Sequence, residues 1–194
     1  EITPVTVKSR SGETVVSVDE GPGKVKLDKI PLLKPAFKKD GTITAASSSS
    51  INDGAAALVM ARASTAAQLG AKPLARIVAH TTHAQAPNWF ATAPVGAVQK
   101  LLAKTGWSVS YVDLWEINDA FAVVPMALMT ELSIPHAIVN VNGGACALGH
   151  PIGASGARIM VTLVHALQAR GLKRGVATLC IGGGEATALA VEML

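Results

Sequence analysis

From Leu74 onward the chain alternates stretches of strand character with stretches of helical period. ARIVAHTTHA is followed by a helical pattern near 94–105, YVDLWEI by one at 119–132, AIVNV by one at 151–170, and the chain closes on VATLCIGG and EATALAVEM. No other feature restricts the fold as much. Strands that alternate with helices must bury two kinds of apolar face against each other, which predicts an α/β sheet covered by helices. The last two stretches have no helix between them, only Gly182-Gly183-Gly184, and so predict an antiparallel hairpin. Aromatic residues make up 4% of the chain and charged residues 15%, so the core is expected to be small aliphatic side chains in close-packed layers.

Upstream the pattern is looser. Residues 1–40 set β-branched residues between turn signals and then run through a Lys-rich stretch, Gly21 to Asp40, which predicts a hairpin and an irregular excursion. Ser47 to Ser50 lead into Ile51-Asn52-Asp53-Gly54-Ala55, and AALVMARASTAAQLG reads as a strand followed by a small-residue helix, with Pro73 as a module boundary. The opening residues, EITPVTVKSRSGETVV, have the character of an interior β segment rather than a targeting peptide, and the expectation is that the protein's start lies upstream of Glu1.

Several function classes fall away on composition. The net charge is +4, and no basic block or aromatic-interleaved stripe suits nucleic acid; Lys24, Lys26, Lys29, Lys34, Lys38 and Lys39 are diluted by acids and form a solvated face. Every apolar run is interrupted before the ~18–20 residues of a membrane span. Cys146 and Cys180 have neither disulfide-framework nor metal-site spacing, so no metal is expected.

The chemistry-bearing candidates cluster in three places. In Asn140 to Arg158, paired glycines permit a sharp turn close to a ligand, and His150 stands just before Pro151, a residue suited to a first helical turn. At a helix N-terminus a histidine stays neutral and can act as a base; the plainer reading is that His150 caps the helix while Gly153 and Gly156 allow close packing. Cys180 ends the strand VATLCIG beside three glycines. It is either a small buried hydrophobe or a proton-exchanging thiol with the Gly182 N–H offered to an oxyanion. Asn118 lies at the strand-to-helix junction Trp115 to Ala122, as an N-cap or as a group that orients water beside an oxyanion. Glu116 and Asp119 read as a capping carboxylate pair, and Cys146 as core.

Together these segments resemble the thiolase family. The family's Asn-Glu-Ala-Phe motif stands here as Asn118-Asp119-Ala120-Phe121, its Gly-His-Pro motif at Gly149 to Pro151, and its Cys-x-Gly-Gly-Gly motif at Cys180 to Gly184, in the family's order. Asn52 to Ala56 is also similar to the family's pattern. The resemblance implies a layered α/β sandwich of two similar domains, with residues 1–72 the end of the first domain and its coenzyme A-covering loop excursion, and residues 73–194 the second domain. It implies that His150 activates a nucleophilic cysteine and that Cys180 moves the proton of the second substrate. Asn118 would hold a water that shares an oxyanion hole with His150, and Gly182 would serve a second hole. Coenzyme A contacts would fall on Ser49, Phe37, Ala120 and Phe121. Three departures stand out: Asp119 replaces the motif's Glu, Ala45 to Ser50 lacks the Gly-Asn common before the serine, and Phe90 stands where many members have Met-Gly and so reshapes the acyl pocket.

Neither cysteine has the setting of the family's nucleophile. The function implied is an acyl-CoA C-acyltransferase of fatty acid metabolism that makes or cleaves the carbon–carbon bond of 3-oxoacyl-CoA, with acetoacetyl-CoA as the expected substrate and no covalently bound cofactor. This chain would supply acid/base and oxyanion groups, and would be inactive alone. Its expected partners are acyl-CoA, an N-terminal thiolase half, and further copies in a homo-oligomer; the expected location is the cytoplasm, with an organellar matrix open. Two alternatives stand beside this: a non-catalytic acyl-CoA or lipid-binding protein of the same fold, and the structural half of a split enzyme.

Overall fold

The computed structural model describes residues 1–194. The expected hairpin at the start forms from β1 (Val5–Ser9) and β2 (Gly12–Val16), paired antiparallel from Val5↔Val16 to Ser9↔Gly12. Gly12 has φ 125°, a backbone conformation open chiefly to glycine, which lets so short a turn close. All ten strand residues are exposed, so the ribbon has no packed face. A short helix α1 (Glu20–Lys24) and one 3-10 turn at Leu27–Leu32 are the regular structure of the following excursion.

The strand expected in AALVM does not form. None of residues 53–61 makes a backbone hydrogen bond, and Val59 is fully exposed. A strand exists only where its N–H and C=O groups find a neighbouring segment, and within these 194 residues none lies beside this one. Its helix survives as α2 (Ala63–Gln68), short and wholly without buried residues.

Beyond Leu74 the alternation takes shape as β3 (Ala75–Ala84), α3 (Ala93–Thr105), β4 (Leu114–Ile117), α4 (Val123–Leu132), α5 (Ala145–Leu148), α6 (Ser155–Arg170), β5 (Arg174–Ile181) and β6 (Glu185–Met193). The sheet order is β3-β6-β5-β4, with β4 and β5 parallel and the other two pairings antiparallel. The expected β5–β6 hairpin is present. Gly184 turns it with φ 90° and is met closely by the Gln85 carbonyl, so a side chain there would collide.

The strands' period of two separates two cores. Trp115, Ile117, Val176, Cys180 and Ala186, Ala188 and Ala190 face α3 and α4, where Ala97, Val98, Leu101, Val124 and Leu128 meet them. On the other face Leu114, Ala177 and Val191 meet Ile159, Leu163, Ala166 and Leu167 of α6. Alanines on the strands let helices approach closely, and Gly175 lies so tight under Leu163 that a β-carbon would meet it at 2.7 Å. This is how a chain poor in aromatic residues reaches interior packing density.

Two further expectations need correction. The helix expected over 119–132 begins only at Val123, because the backbone before it is committed elsewhere: Ser49 N–H donates to the Ala120 carbonyl at 2.9 Å, and Ala122 N–H to the Ser47 carbonyl at 2.9 Å. The strand expected at AIVNV is reduced to one bridge, Val139 to Trp115. Here Asn140, at φ 46°, turns its side-chain amide onto β4, accepting from Ile117 N–H at 2.7 Å and donating to the Ile117 carbonyl at 2.8 Å. A side chain thus takes the place of the next rung of the ladder.

Candidate active site at the ends of two parallel strands

β4 and β5 are the parallel pair, and the region beyond their carboxyl ends is where α/β sheets leave room for ligands. Asn118 follows β4 directly, held by its N–H to the Thr178 carbonyl at 3.0 Å, and is 1% exposed. Its Nδ2 lies 3.4 Å from Nε2 of His150, while its Oδ1 is buried without a protein partner. The amide therefore touches the histidine with one end, while its other end is an acceptor sealed from solvent within this chain.

His150 does not cap α6. The turn Pro151 to Ala154 comes between them, because His150 N–H donates to the Ser50 carbonyl at 2.8 Å and pairs the residue with Ile51 instead. Its imidazole is nonetheless held below the ordinary histidine pKa, first by burial and then by the Arg158 guanidinium, against a smaller opposing pull from Asp119. Burial and a nearby cation thus push in the direction that the sequence reading expected of a helix end. Gly149, at φ 95°, is needed just before it: a β-carbon there would run into the Asn52 side chain.

Cys180 lies near the end of β5, opposite Ala186, and faces the α3 and α4 core; it hydrogen bonds to neither His150 nor Asn118. Burial pushes its thiol up. Gly182 is exposed in the turn beyond, and a β-carbon on it would meet nothing within this chain. Ser49 turns its hydroxyl inward, donating to the Ala120 carbonyl at 2.9 Å. The chain's three phenylalanines meet edge to face: Phe121 is 5.9 Å from Phe37 and 6.2 Å from Phe90 between ring centroids. Phe37 is 70% exposed, so it forms the open lip of that apolar patch.

The two carboxylates separate. Asp119 does cap, but it caps α5, accepting the N–H groups of Ala145 and Cys146 with its two oxygens, and Gly144 leaves room for it. Glu116 caps nothing: it is 2% exposed, its carboxyl lies 3.9 Å from the Arg158 guanidinium, and burial raises its pKa to about 8. Cys146 is half-buried, with its thiol driven up to about 12 by burial and by Asp119, so it stays protonated and inert.

Sequence reasoning passed over Ser155, whose Oγ is 2.6 Å from Nδ1 of His150, and read Glu116 as a cap where it instead lies against Arg158. A serine among small residues at a helix start carries no signal of this; only the turn before α6 brings it back onto the ring. Nowhere do three His, Cys, Asp or Glu side chains gather as a metal ion would require.

Two family models match the chain, described as "Thiolase, C-terminal domain" over residues 71–193 and "Thiolase, N-terminal domain" over residues 1–64. A probable acetyl-CoA acetyltransferase of Dictyostelium discoideum is 53% identical over 100% of this chain and 47% of its own length. The crystal structure of the Bacillus anthracis acetyl-CoA acetyltransferase superposes with a TM-score of 0.95 at 46% identity, over 99% of this chain and 49% of that one. Acat5 thiolase from Ascaris suum, solved in complex with coenzyme A, superposes with a TM-score of 0.87 at 42% identity, over 100% of this chain and 49% of its own. The chain thus spans about half the length of the relatives it matches.

Proposed function

This chain belongs to the thiolase family, and from that premise we propose that it supplies the acid/base and oxyanion groups of an acyl-CoA C-acyltransferase acting on 3-oxoacyl-CoA, with acetoacetyl-CoA as substrate. The observation that carries the reading is the contact between Asn118 and a half-buried, neutral His150 at the carboxyl end of β4. A pure binding module needs no such base.

In the proposed reaction His150 takes the proton of a cysteine thiol contributed by an N-terminal thiolase half. The thiolate attacks an acyl-CoA carbonyl, the Gly182 N–H helps hold the oxyanion, and Cys180 gives its proton to the departing coenzyme A thiolate. Cys180 is then itself a thiolate, and burial makes it a strong base. It takes a proton from the carbon next to the carbonyl of a second acyl-CoA. The resulting enolate oxygen is held by His150 and by a water on Asn118, and its carbon attacks the acyl-enzyme, releasing the cysteine thiolate. Cleavage is the reverse.

Acyl-CoA would lie along the patch of Phe37, Phe90 and Phe121, beside Ser49 and Ala120. The apolar residues left open on this chain, among them Ile51, Val59, Met60 and Ile152, would pack on the N-terminal half, and the assembled enzyme would be a homo-oligomer. The test is thiolysis of acetoacetyl-CoA by the chain alone and after assembly with a thiolase N-terminal half. Activity is expected only in the second. Acyl transfer by the chain alone would show that the nucleophile lies within it, and a complex that binds acyl-CoA without turnover would leave a binding protein.

A further inference from the structure

We infer that Ser155 is a positioning residue that fixes the tautomer of His150, holding the ring proton on Nδ1 so that Nε2 faces Asn118 as a bare acceptor. The inference deepens the proposed acyl transfer and, in its catalytic part, rests on it.

The argument is one of counting protons. Ser155 Oγ has two short contacts: Nδ1 of His150 at 2.6 Å and the Pro151 carbonyl at 3.0 Å. The carbonyl can only accept, so in that contact the hydroxyl gives its single proton, although the same carbonyl also takes the N–H groups of Ala154 at 2.7 Å and of Ser155 at 2.9 Å. Nδ1 is then the donor in the shorter bond, as the Asn118 amide N–H facing the other ring nitrogen also requires. A neutral imidazole has one N–H, and with that on Nδ1 the other nitrogen carries only its lone pair. On that side the histidine meets Asn118 Nδ2, which has N–H groups to give. The chain of donors runs without conflict from Asn118 through the ring to Ser155 and the Pro151 carbonyl.

Why the serine stays there is equally local. It is the first residue of α6, its own N–H also bonds to the Pro151 carbonyl at 2.9 Å, and it is 0% exposed, so no water competes for the ring proton. The charged or titratable groups acting on the ring are Arg158 from α6 and Asp119 from the segment after β4. Neither offers a hydrogen bond to Nδ1, so Ser155 at Nδ1 and Asn118 at Nε2 set the tautomer between them, and Ser155 is the one that holds the ring proton. A base presented at Nε2 can take a thiol proton at once; the opposite tautomer would have to turn over first.

The test uses the full chain labelled with 15N-histidine, at about pH 8, above the ordinary histidine pKa of ~6.5. The signals of His150 are identified by their loss in His150→Gln. We expect the wild-type ring to carry its proton on Nδ1 and the Ser155→Ala ring to shift to a mixture or to the Nε2–H form. In the assembled enzyme Ser155→Ala should lower kcat by about tenfold to a hundredfold, the scale of a misplaced catalytic group, with KM changed by less than about twofold. An Nε2–H ring in the wild type overturns the inference, as does an Nδ1–H ring that Ser155→Ala leaves unchanged. The tautomer measurement needs no turnover, so a correct tautomer in an inactive assembly would count against the proposed reaction and not against Ser155.

Discussion

The first 74 residues and the 120 that follow use similar side chains to opposite ends. The chain has 37 buried residues, and none of them precedes Ala93. Val5, Val7, Val15, Val16, Leu27 and Leu32 stand open to solvent, while Val98, Leu101, Val124 and Leu128 are all but sealed. The difference is not composition but closure. β3 to β6 give the C-terminal region a sheet whose two faces each find helices within this chain, whereas the N-terminal hairpin and the 52–62 segment find no second layer. The candidate site lies along the seam between the two. Ile51 bridges to His150 and Ser48 to Phe121, so the loosely packed region supplies part of the scaffold for residues whose chemistry sits in the packed one.

Five substitutions test that contrast. The largest effect is expected from His150→Ala in the assembled enzyme, where loss of a general base should lower kcat about 10²–10⁴-fold with little change in melting temperature. Near-normal turnover would remove the histidine from the chemistry. Next, Leu101→Ala should cost about 2–5 kcal/mol in denaturant unfolding, because it opens a cavity in the core, whereas Leu32→Ala should stay within about 0.5 kcal/mol. Equal costs would mean that the N-terminal region is packed after all.

A smaller change is expected where the two regions share a surface. Phe90 and Phe121 belong to the C-terminal region's apolar patch and Phe37 to the excursion that lies on it. If the patch bounds the acyl pocket, Phe90→Ala should shift kcat/KM toward longer 3-oxoacyl-CoA by about 1–3 kcal/mol for each methylene accommodated. An unchanged ratio across chain lengths would put the pocket elsewhere. The last effect is a pH dependence and concerns Glu116. Its folded pKa of about 8 exceeds the ordinary value of 4.5, so the native state keeps a proton that the unfolded chain releases, and stability falls as pH rises from about 4.5 to about 8. Glu116→Gln should remove this contribution, gaining on the wild type steadily across that window in denaturant midpoints. Parallel pH profiles would show that Glu116 is ionised when folded.

Much of this was legible in advance, and unevenly so. β3 and β6 fall where the alternation put them, at Ala75–Ala84 and Glu185–Met193, since apolar runs of this length bounded by glycine or proline leave few options. The 94–105 helix was equally plain, ended by Gly106 at φ 70°. Predictions failed where a backbone had a choice of partner. The stretches at 52–62, 119–122 and 137–141 have the residues of strands or helices, but their hydrogen bonds depend on what lies alongside. Glu116 was misjudged for the same reason: its place before Asn118 suggested a cap, and only α6 laid across the sheet shows it buried against Arg158.

The sequence by itself determined the order of sheet and helix after Leu74, the family, and the identities of His150, Cys180 and Asn118 as candidates, because period, turn residues and motifs are properties of neighbours along the chain. Only the tertiary structure decided that Asn118 meets His150, that Ser155 holds the other side of the ring, and that burial and then Arg158 hold the histidine below its ordinary pKa. Hydrogen bonds and desolvation act over a few ångströms of space, and residues 32 apart in sequence come within that range only when β4 and the turn before α6 are folded against each other.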